Sequence, residues 1–170
     1  MTFTLIATLG AEPQVVTLAT QMLLRNGVSL AHVVVLHTHV SHLPMAEALP
    51  RLQGAFAQRP GVPPLLCVPV PVDDVLAPWE LDCFADVLFA QIQAAQAQGL
   101  GIHLLLAGGR KSMTMVGMSV AHLLLGAGDT VWYLYSAPEL RIAGRMWLHE
   151  SERAELIAVP IIDPKNWTTC

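Results

Sequence analysis

The apolar positions of this chain follow two patterns in alternation. Short runs are apolar throughout, and longer segments carry apolar residues at helical spacing. Phe3 to Leu9 reads as a first strand and Pro13 to Asn26 as a helix with proline in its first turn. Within that helix Val15, Ala19 and Met22, with Val16 and Leu23, form one stripe, and Gly27 supplies the stop. His32 to Leu36 predicts a second strand, Ala46 to Gln58 a second helix and Leu65 to Val72 a third strand. Pro69 and Pro71 cannot donate to a ladder, so the third strand is expected at a sheet edge. The clearest helix is Pro78 to Gln98, where Leu81, Phe84, Ala85, Leu88, Ile92 and Ala95 share a face before Gly99 and Gly101. Ile102 to Ala107 then predicts a fourth strand, Ser112 to Leu125 a fourth helix and Thr130 to Tyr135 a fifth strand. Arg141 to Glu150 fits neither period, and Leu156 to Ile162 predicts a last strand.

Strands that are apolar on both faces belong to parallel sheets covered by helices on both sides. With right-handed crossovers the pattern predicts an α/β fold, a Rossmann-like, doubly wound and mainly parallel sheet. No linker, repeat or low-complexity tract interrupts it, and Pro60 to Pro64 reads as a loop. Residues 1–170 are therefore expected to form one domain. In it, residues 137–170 extend the sheet and offer a lid or a dimer contact.

Composition sharpens this picture. Apolar residues make up 54% of the 170 and charged residues 13%, and the mean hydropathy is +0.51. Those values exclude disorder and leave more apolar material than one small domain hides, so a subunit interface is expected. A membrane span needs roughly 20 mainly apolar residues. The best stretch, Met113 to Tyr135, is broken by Gly117, His122, Gly126, Gly128 and Asp129. Met1-Thr2-Phe3-Thr4 lacks the basic flank of a signal peptide, so a cytoplasmic chain free of membrane is expected. Cys67, Cys83 and Cys170 show no metal or redox spacing and read as inert, reduced thiols. A net charge of -4 argues against coating long nucleic acid, so a nucleotide ligand would be small and held by a few cations.

In the common 3-2-1-4-5 strand order, the first and fourth strands meet at the topological switch point, where ligands bind outside their carboxyl ends. Two turns converge there, Thr8-Leu9-Gly10-Ala11-Glu12-Pro13 and Gly108-Gly109-Arg110-Lys111-Ser112-Met113-Thr114. Gly108 and Gly109 admit close approach of a ligand to the backbone. Arg110 can fork onto a phosphate, Lys111 offers a point charge, and Ser112 or Thr114 a hydroxyl. A solvated helix start would explain this pair poorly, because cations at a helix N-terminus oppose its dipole. An anion site is the expectation. Neither GxGxxG nor a Walker A lysine pattern is present, which argues against an ordinary NAD enzyme or P-loop NTPase.

Ala7-Thr8-Leu9-Gly10-Ala11-Glu12-Pro13-Gln14-Val15-Val16-Thr17, together with Ala107-Gly108-Gly109-Arg110-Lys111-Ser112-Met113-Thr114, resembles the CARF proteins. These are CRISPR-associated Rossmann-fold sensors of type III systems, and the likeness is to their ring nucleases especially. The resemblance implies a homodimer that binds cyclic oligoadenylate, such as cyclic tetra-adenylate, across its two-fold axis. It also implies cleavage without metal or cofactor to linear products ending in 2′,3′-cyclic phosphate, which switches off the CRISPR signal. By position it assigns catalytic roles to Lys111, Arg110 and Thr8, with Lys111 electrostatic or at the leaving group and Arg110 clamping phosphate. Ligand contacts are expected from Gly10, Ala11, Gln14, Thr38, His39, Gly108, Gly109, Ser112, Met113 and Thr114. Ala11 and Glu12 stand where family versions carry hydroxyl residues, so this turn departs from the pattern. Two Arg110 and two Lys111 in a dimer would balance four phosphates. A chain of this length is expected to degrade the signal and not to relay it; the alternative is a non-cleaving sensor that regulates a partner effector.

His37, His39 and His42 follow the second strand, and with Asp73 or Asp74 they offer a third reading, a metal-dependent hydrolase. Against it, the histidines can hydrogen-bond locally, and Thr38 or His39 can reach a base or ribose. His122 reads as a core or interface histidine. Trp79, Trp132, Trp147 and Trp167 read as core or interface residues, with Trp147 in a segment able to form a lid. Met113, Met115 and Met118 open a helix apolar nearly all round, which predicts a buried helix at a dimer interface.

Overall fold

The computed structural model describes residues 1–161, the Arg141 side chain excepted. Its elements in chain order are β1 (Phe3–Thr8), α1 (Gln14–Arg25), β2 (Leu30–His37), α2 (Met45–Ala57), β3 (Leu65–Pro69) and α3 (Pro78–Ala97). There follow β4 (Gly101–Leu105), α4 (Lys111–Leu124), β5 (Thr130–Ser136), α5 (Pro138–Ala143) and β6 (Ala154–Val159). The strands form one sheet in the order β3-β2-β1-β4-β5-β6. The first five are parallel, and β6 returns antiparallel to β5. This is the doubly wound α/β architecture that the apolar pattern predicts, with its switch point between β1 and β4.

The two-faced apolar strands have a direct cause. In β1, Leu5 and Ala7 pack into one core with Val16 and Leu23 of α1 and Leu52 and Phe56 of α2. Ile6, between them, points the other way and joins Phe84, Leu88 and Ile92 of α3 and Val120 of α4. In β2, Val33 and Val35 face the first core, Val34 and Leu36 the second. Period-two alternation thus feeds both cores, so no position of these strands can be polar without cost. Each fully buried Leu, Ile or Phe contributes about 1.5–3 kcal/mol relative to exposure.

Element ends have equally local reasons. Pro78 opens α3, and Glu80 reaches back so that its Oε2 accepts the N–H groups of Leu76 and Ala77 at 2.9 and 2.7 Å. β3 lies at the edge, as its prolines predict, but ends at Pro69 and not at Val72. Beyond it the Val72 N–H turns back onto the Val70 carbonyl at 2.8 Å, and Pro71 has no N–H to continue a ladder.

The segment after β5 differs most from expectation. Part of the ambiguous stretch is α5, and the chain then crosses α1 and α2 as a strap. Gln21 both accepts the Leu148 N–H at 2.7 Å and donates to the Leu148 carbonyl at 3.2 Å, and the Thr17 hydroxyl donates to Met146. Arg51 donates to the Gly144 carbonyl at 3.2 Å, while Arg59 lies 4.4 Å over the Trp147 ring, which tilts against Phe56. The segment expected to offer a lid or a dimer contact is thus held on the helix face, largely through its main chain. β6 begins at Ala154, two residues before the predicted strand; Ile162, Trp167 and Cys170 lie outside the described residues.

Three further expectations of a core or interface place lose only their core alternative. Trp79 is 58% exposed at the start of α3 and is not core. α4 is not buried all round, because Met115 and Leu123 are 73% and 76% exposed and share a stripe with exposed Ser119 and His122. His122 is thus not a core residue; its Nδ1 lies 2.7 Å from the Met118 carbonyl. Cys67 and Cys83 are half-buried free thiols, and burial pushes the Cys67 thiol up. Among the described residues no helix is long and apolar enough to cross a membrane.

One buried titratable group ties the sheet to pH. His103 of β4 stacks on Phe3 with centroids 4.5 Å apart, and its Nδ1 accepts the Trp132 indole N–H at 2.9 Å. That bond fixes the neutral ring's proton on Nε2, which is buried without a partner among the described residues. Burial holds His103 below its ordinary value of 6.5, against the opposing charge of Asp129. The unfolded chain therefore takes up the proton first. The stabilisation is complete above about pH 6.5 and is lost as the pH falls through the lower folded value. Denaturant midpoints should fall between about pH 7.5 and pH 5.5, and fall less in His103→Leu. Equal pH slopes in the two proteins would show that His103 is not the coupled group.

Candidate functional site

At the switch point the turns after β1 and β4 come together because their backbones lack side chains. A Cβ at Gly10 would run into the backbone nitrogen of Gly109, and one at Gly108 into the Thr8 carbonyl. Gly109 has φ +86°, a left-handed conformation that glycine adopts without strain, and a Cβ there would lie 2.6 Å from the Met113 sulfur. The Thr8 hydroxyl then closes the joint by donating to the Gly108 carbonyl at 2.6 Å.

Beside this joint opens a cleft of about 280 Å³. It gathers seven of the expected site residues: Gly10, Ala11, Thr38, His39, Gly109, Arg110 and Met113. Leu43, Pro44 and Met45, at the start of α2, add an apolar wall that no motif marks, and Leu9 adds to the lining. His42, Asp73 and Asp74 complete it. Their place was readable only as residues following β2 and β3 on one side of the switch point.

Six expected residues are not among those lining the cleft. Thr8 is 1% exposed, and its only proton is given to Gly108, so it joins the two turns and does not face a ligand. Ser112 likewise donates to the Val75 carbonyl at 2.8 Å and Thr114 to the Leu106 carbonyl at 3.1 Å. Their protons are thus engaged by main-chain carbonyls, which leaves the hydroxyl oxygens as acceptors. Gly108 serves the joint. Gln14 is buried in the first turn of α1, with its Oε1 unpartnered among the described residues. Lys111 is exposed on the first turn of α4, next to the cleft but outside its lining.

The electrostatics turn on a pair that the sequence hides. Asp74 grips Arg110 with both oxygens, at 2.9 Å to Nε and 2.5 Å to Nη2. The Arg110 guanidinium is the main reason the Asp74 carboxyl is held below its ordinary range, and the Val75 N–H on Oδ1 at 2.8 Å adds to it. Ser112, bonded to the Val75 carbonyl, docks the same loop on α4. The carboxylate thereby sits at the N-terminus of α4 and offsets the unfavourable placement of Arg110 and Lys111 against the helix dipole. The charge expected of this turn is thus partly matched within the chain, since Arg110 already has a carboxylate and Asp73 lines the same cleft.

The three histidines are not brought together in the fold. His37 is buried, with Nδ1 2.8 Å from the Thr38 carbonyl, whereas His39 and His42 face the cleft. Among the described residues no three His, Cys, Asp or Glu side chains converge to hold a metal ion.

The fold defines a doubly wound, Rossmann-like α/β domain, and Arg110 lines a cleft at its switch point. The family model for CRISPR-associated protein NE0113 (Cas_NE0113) matches residues 12–163, and the chain belongs to that family. No curated protein matches it.

Two outcomes follow from this geometry. Gly10→Ala should lower stability by about 1–3 kcal/mol through overpacking at the joint, seen as a lower Tm; an unchanged Tm would mean the turns are not in contact. Asp74→Asn should release Arg110 and tighten inorganic phosphate binding by about two- to fivefold, as for loss of one exposed ion pair. An NMR titration checks this, and equal or weaker binding would show that Asp74 does not compete for the guanidinium.

Proposed function

We propose that this CRISPR-associated protein is a ring nuclease, which binds cyclic oligoadenylate across a homodimer and cleaves it without metal. The observation that carries the reading is the switch-point cleft, where the Gly10 and Gly109 backbones, Arg110 and the start of α4 meet. This is anion-binding architecture, and the resemblance of these same two turns to CARF proteins names the anion.

Size supports the two-subunit form. A cleft of about 280 Å³ is small for a ligand pocket and suits about one nucleotide unit, not a whole ring. The exposed stripe Met115, Ser119, His122 and Leu123 runs along α4 from the turn that bears Lys111. Pairing through that stripe sets two clefts and two Lys111 side chains about one axis, so that a ring spans both.

Cleavage uses the nucleophile already in the substrate. The ribose 2′-OH attacks the adjacent phosphorus in line, and the protein supplies alignment and charge. Arg110 exchanges Asp74 for a phosphate oxygen, Lys111 stabilises the charge that develops, and Thr38 and His39 meet the base or ribose. Thr8 contributes by holding the two turns in place.

The test is incubation of purified protein with cyclic tetra- or hexa-adenylate in EDTA and chromatography of the products. Linear fragments with 2′,3′-cyclic phosphate ends are expected. Lys111→Ala should lose about 100-fold or more in cleavage rate with a smaller loss of affinity, whereas Arg110→Ala weakens both. Rings left intact but tightly bound would make the chain a sensor, and cleavage only after added metal would end the metal-free reading.

A further inference from the structure

Cleaving RNA-type linkages requires a proton to leave the 2′-OH and another to reach the departing 5′-oxygen. The charged and titratable side chains lining the cleft are His39, His42, Asp73, Asp74 and Arg110, with Lys111 beside it. A guanidinium does not give up its proton. Asp74 is bound by Arg110 and held in its ionised form, which makes it a weak base. Imidazole is the side chain that both accepts and donates a proton near neutral pH.

His39 and His42 are exposed to the cleft, and no hydrogen bond occupies either ring among the described residues. The loop that carries them is nonetheless anchored. The His39 N–H donates to the Val72 carbonyl at 2.9 Å, and the His42 carbonyl accepts the Ala46 N–H at 3.0 Å. Two unoccupied imidazoles on a pinned loop thus line the same cleft as Gly10 and Gly109, while Leu43, Pro44 and Met45 form an apolar wall. His37, the third of the series, is turned away with its Nδ1 on the Thr38 carbonyl.

Resting on the ring-nuclease reading, we propose that His39 and His42 are its general acid–base pair. One neutral imidazole takes the proton from the 2′-OH as the 2′-oxygen forms its bond to phosphorus. The other, protonated, gives its proton to the 5′-oxygen as the phosphorus–5′-oxygen bond breaks. The products are a 2′,3′-cyclic phosphate and a 5′-hydroxyl. One proton has moved between the imidazoles, solvent restores both, and no water, metal or oxidant is consumed. Lys111 then acts on the charge of the transition state.

Single-turnover cleavage of cyclic tetra-adenylate in EDTA tests this, with affinity measured separately by calorimetry. His39→Ala and His42→Ala should each lose about 100-fold or more in rate, with affinity held within about threefold. The wild-type rate should trace a bell against pH, each variant should lose one limb of it, and added imidazole should restore part of the rate. A variant that cleaves at the wild-type rate, or loses affinity in step with rate, overturns the assignment while the ring-nuclease reading stands. A wild-type protein that binds the ring and never cleaves it overturns both.

Discussion

The contact on which the rest of the molecule depends is the meeting of two backbones at Gly10 and Gly108–Gly109, sealed by the Thr8 hydroxyl on the Gly108 carbonyl. β1 and β4 are hydrogen-bonded neighbours whose helices leave for opposite faces of the sheet, so their turns must either part or touch. Side chains at these glycines would part them. Because they touch, the start of α4 is brought to the rim of one cleft with the loops that follow β2 and β3. The hydroxyl at position 8 therefore helps to set the shape of the cleft without lining it.

Charge is arranged around that joint in layers. Arg110 and Lys111 stand where the dipole of α4 disfavours them, and the Asp74 carboxylate, delivered from the loop after β3, compensates. The resting site is thus close to neutral, although it contains the only adjacent Arg-Lys pair in the chain. On the proposed reading, an anion that reaches Arg110 exchanges one charged oxygen for another at the guanidinium. Such exchange favours ligands that satisfy the guanidinium fork geometrically over those that supply negative charge alone.

The fold was legible because both faces of the sheet are covered, which makes Leu5-Ile6-Ala7 and Val33-Val34-Val35-Leu36 apolar without interruption. The switch-point location of Gly108-Gly109-Arg110 followed from strand order alone. What resisted reading were pairings across long separations. Asp74 lies 36 positions from Arg110, and nothing local distinguishes it from Asp73. Hydroxyl residues are ambiguous for a similar reason, since Thr8, Ser112 and Thr114 look free in a sequence and are bonded to carbonyls in the fold. α4 was legible only in part, because hydropathy records an apolar face without saying whether the same chain covers it. The strap over α1 and α2 escaped because its anchors are Gln21, Thr17 and Arg51, whose partners are main-chain carbonyls 93 to 129 residues away.

The prolines of the β3 region have an effect beyond ending a strand. β3 is five residues long and closes with Pro69, so this border of the sheet is short and poor in donors. Another molecule laid alongside it finds few partners for its own main chain, and lateral growth into longer sheets is checked at its outset. A protein with this much apolar sequence is thereby steered away from fibrous association on that side.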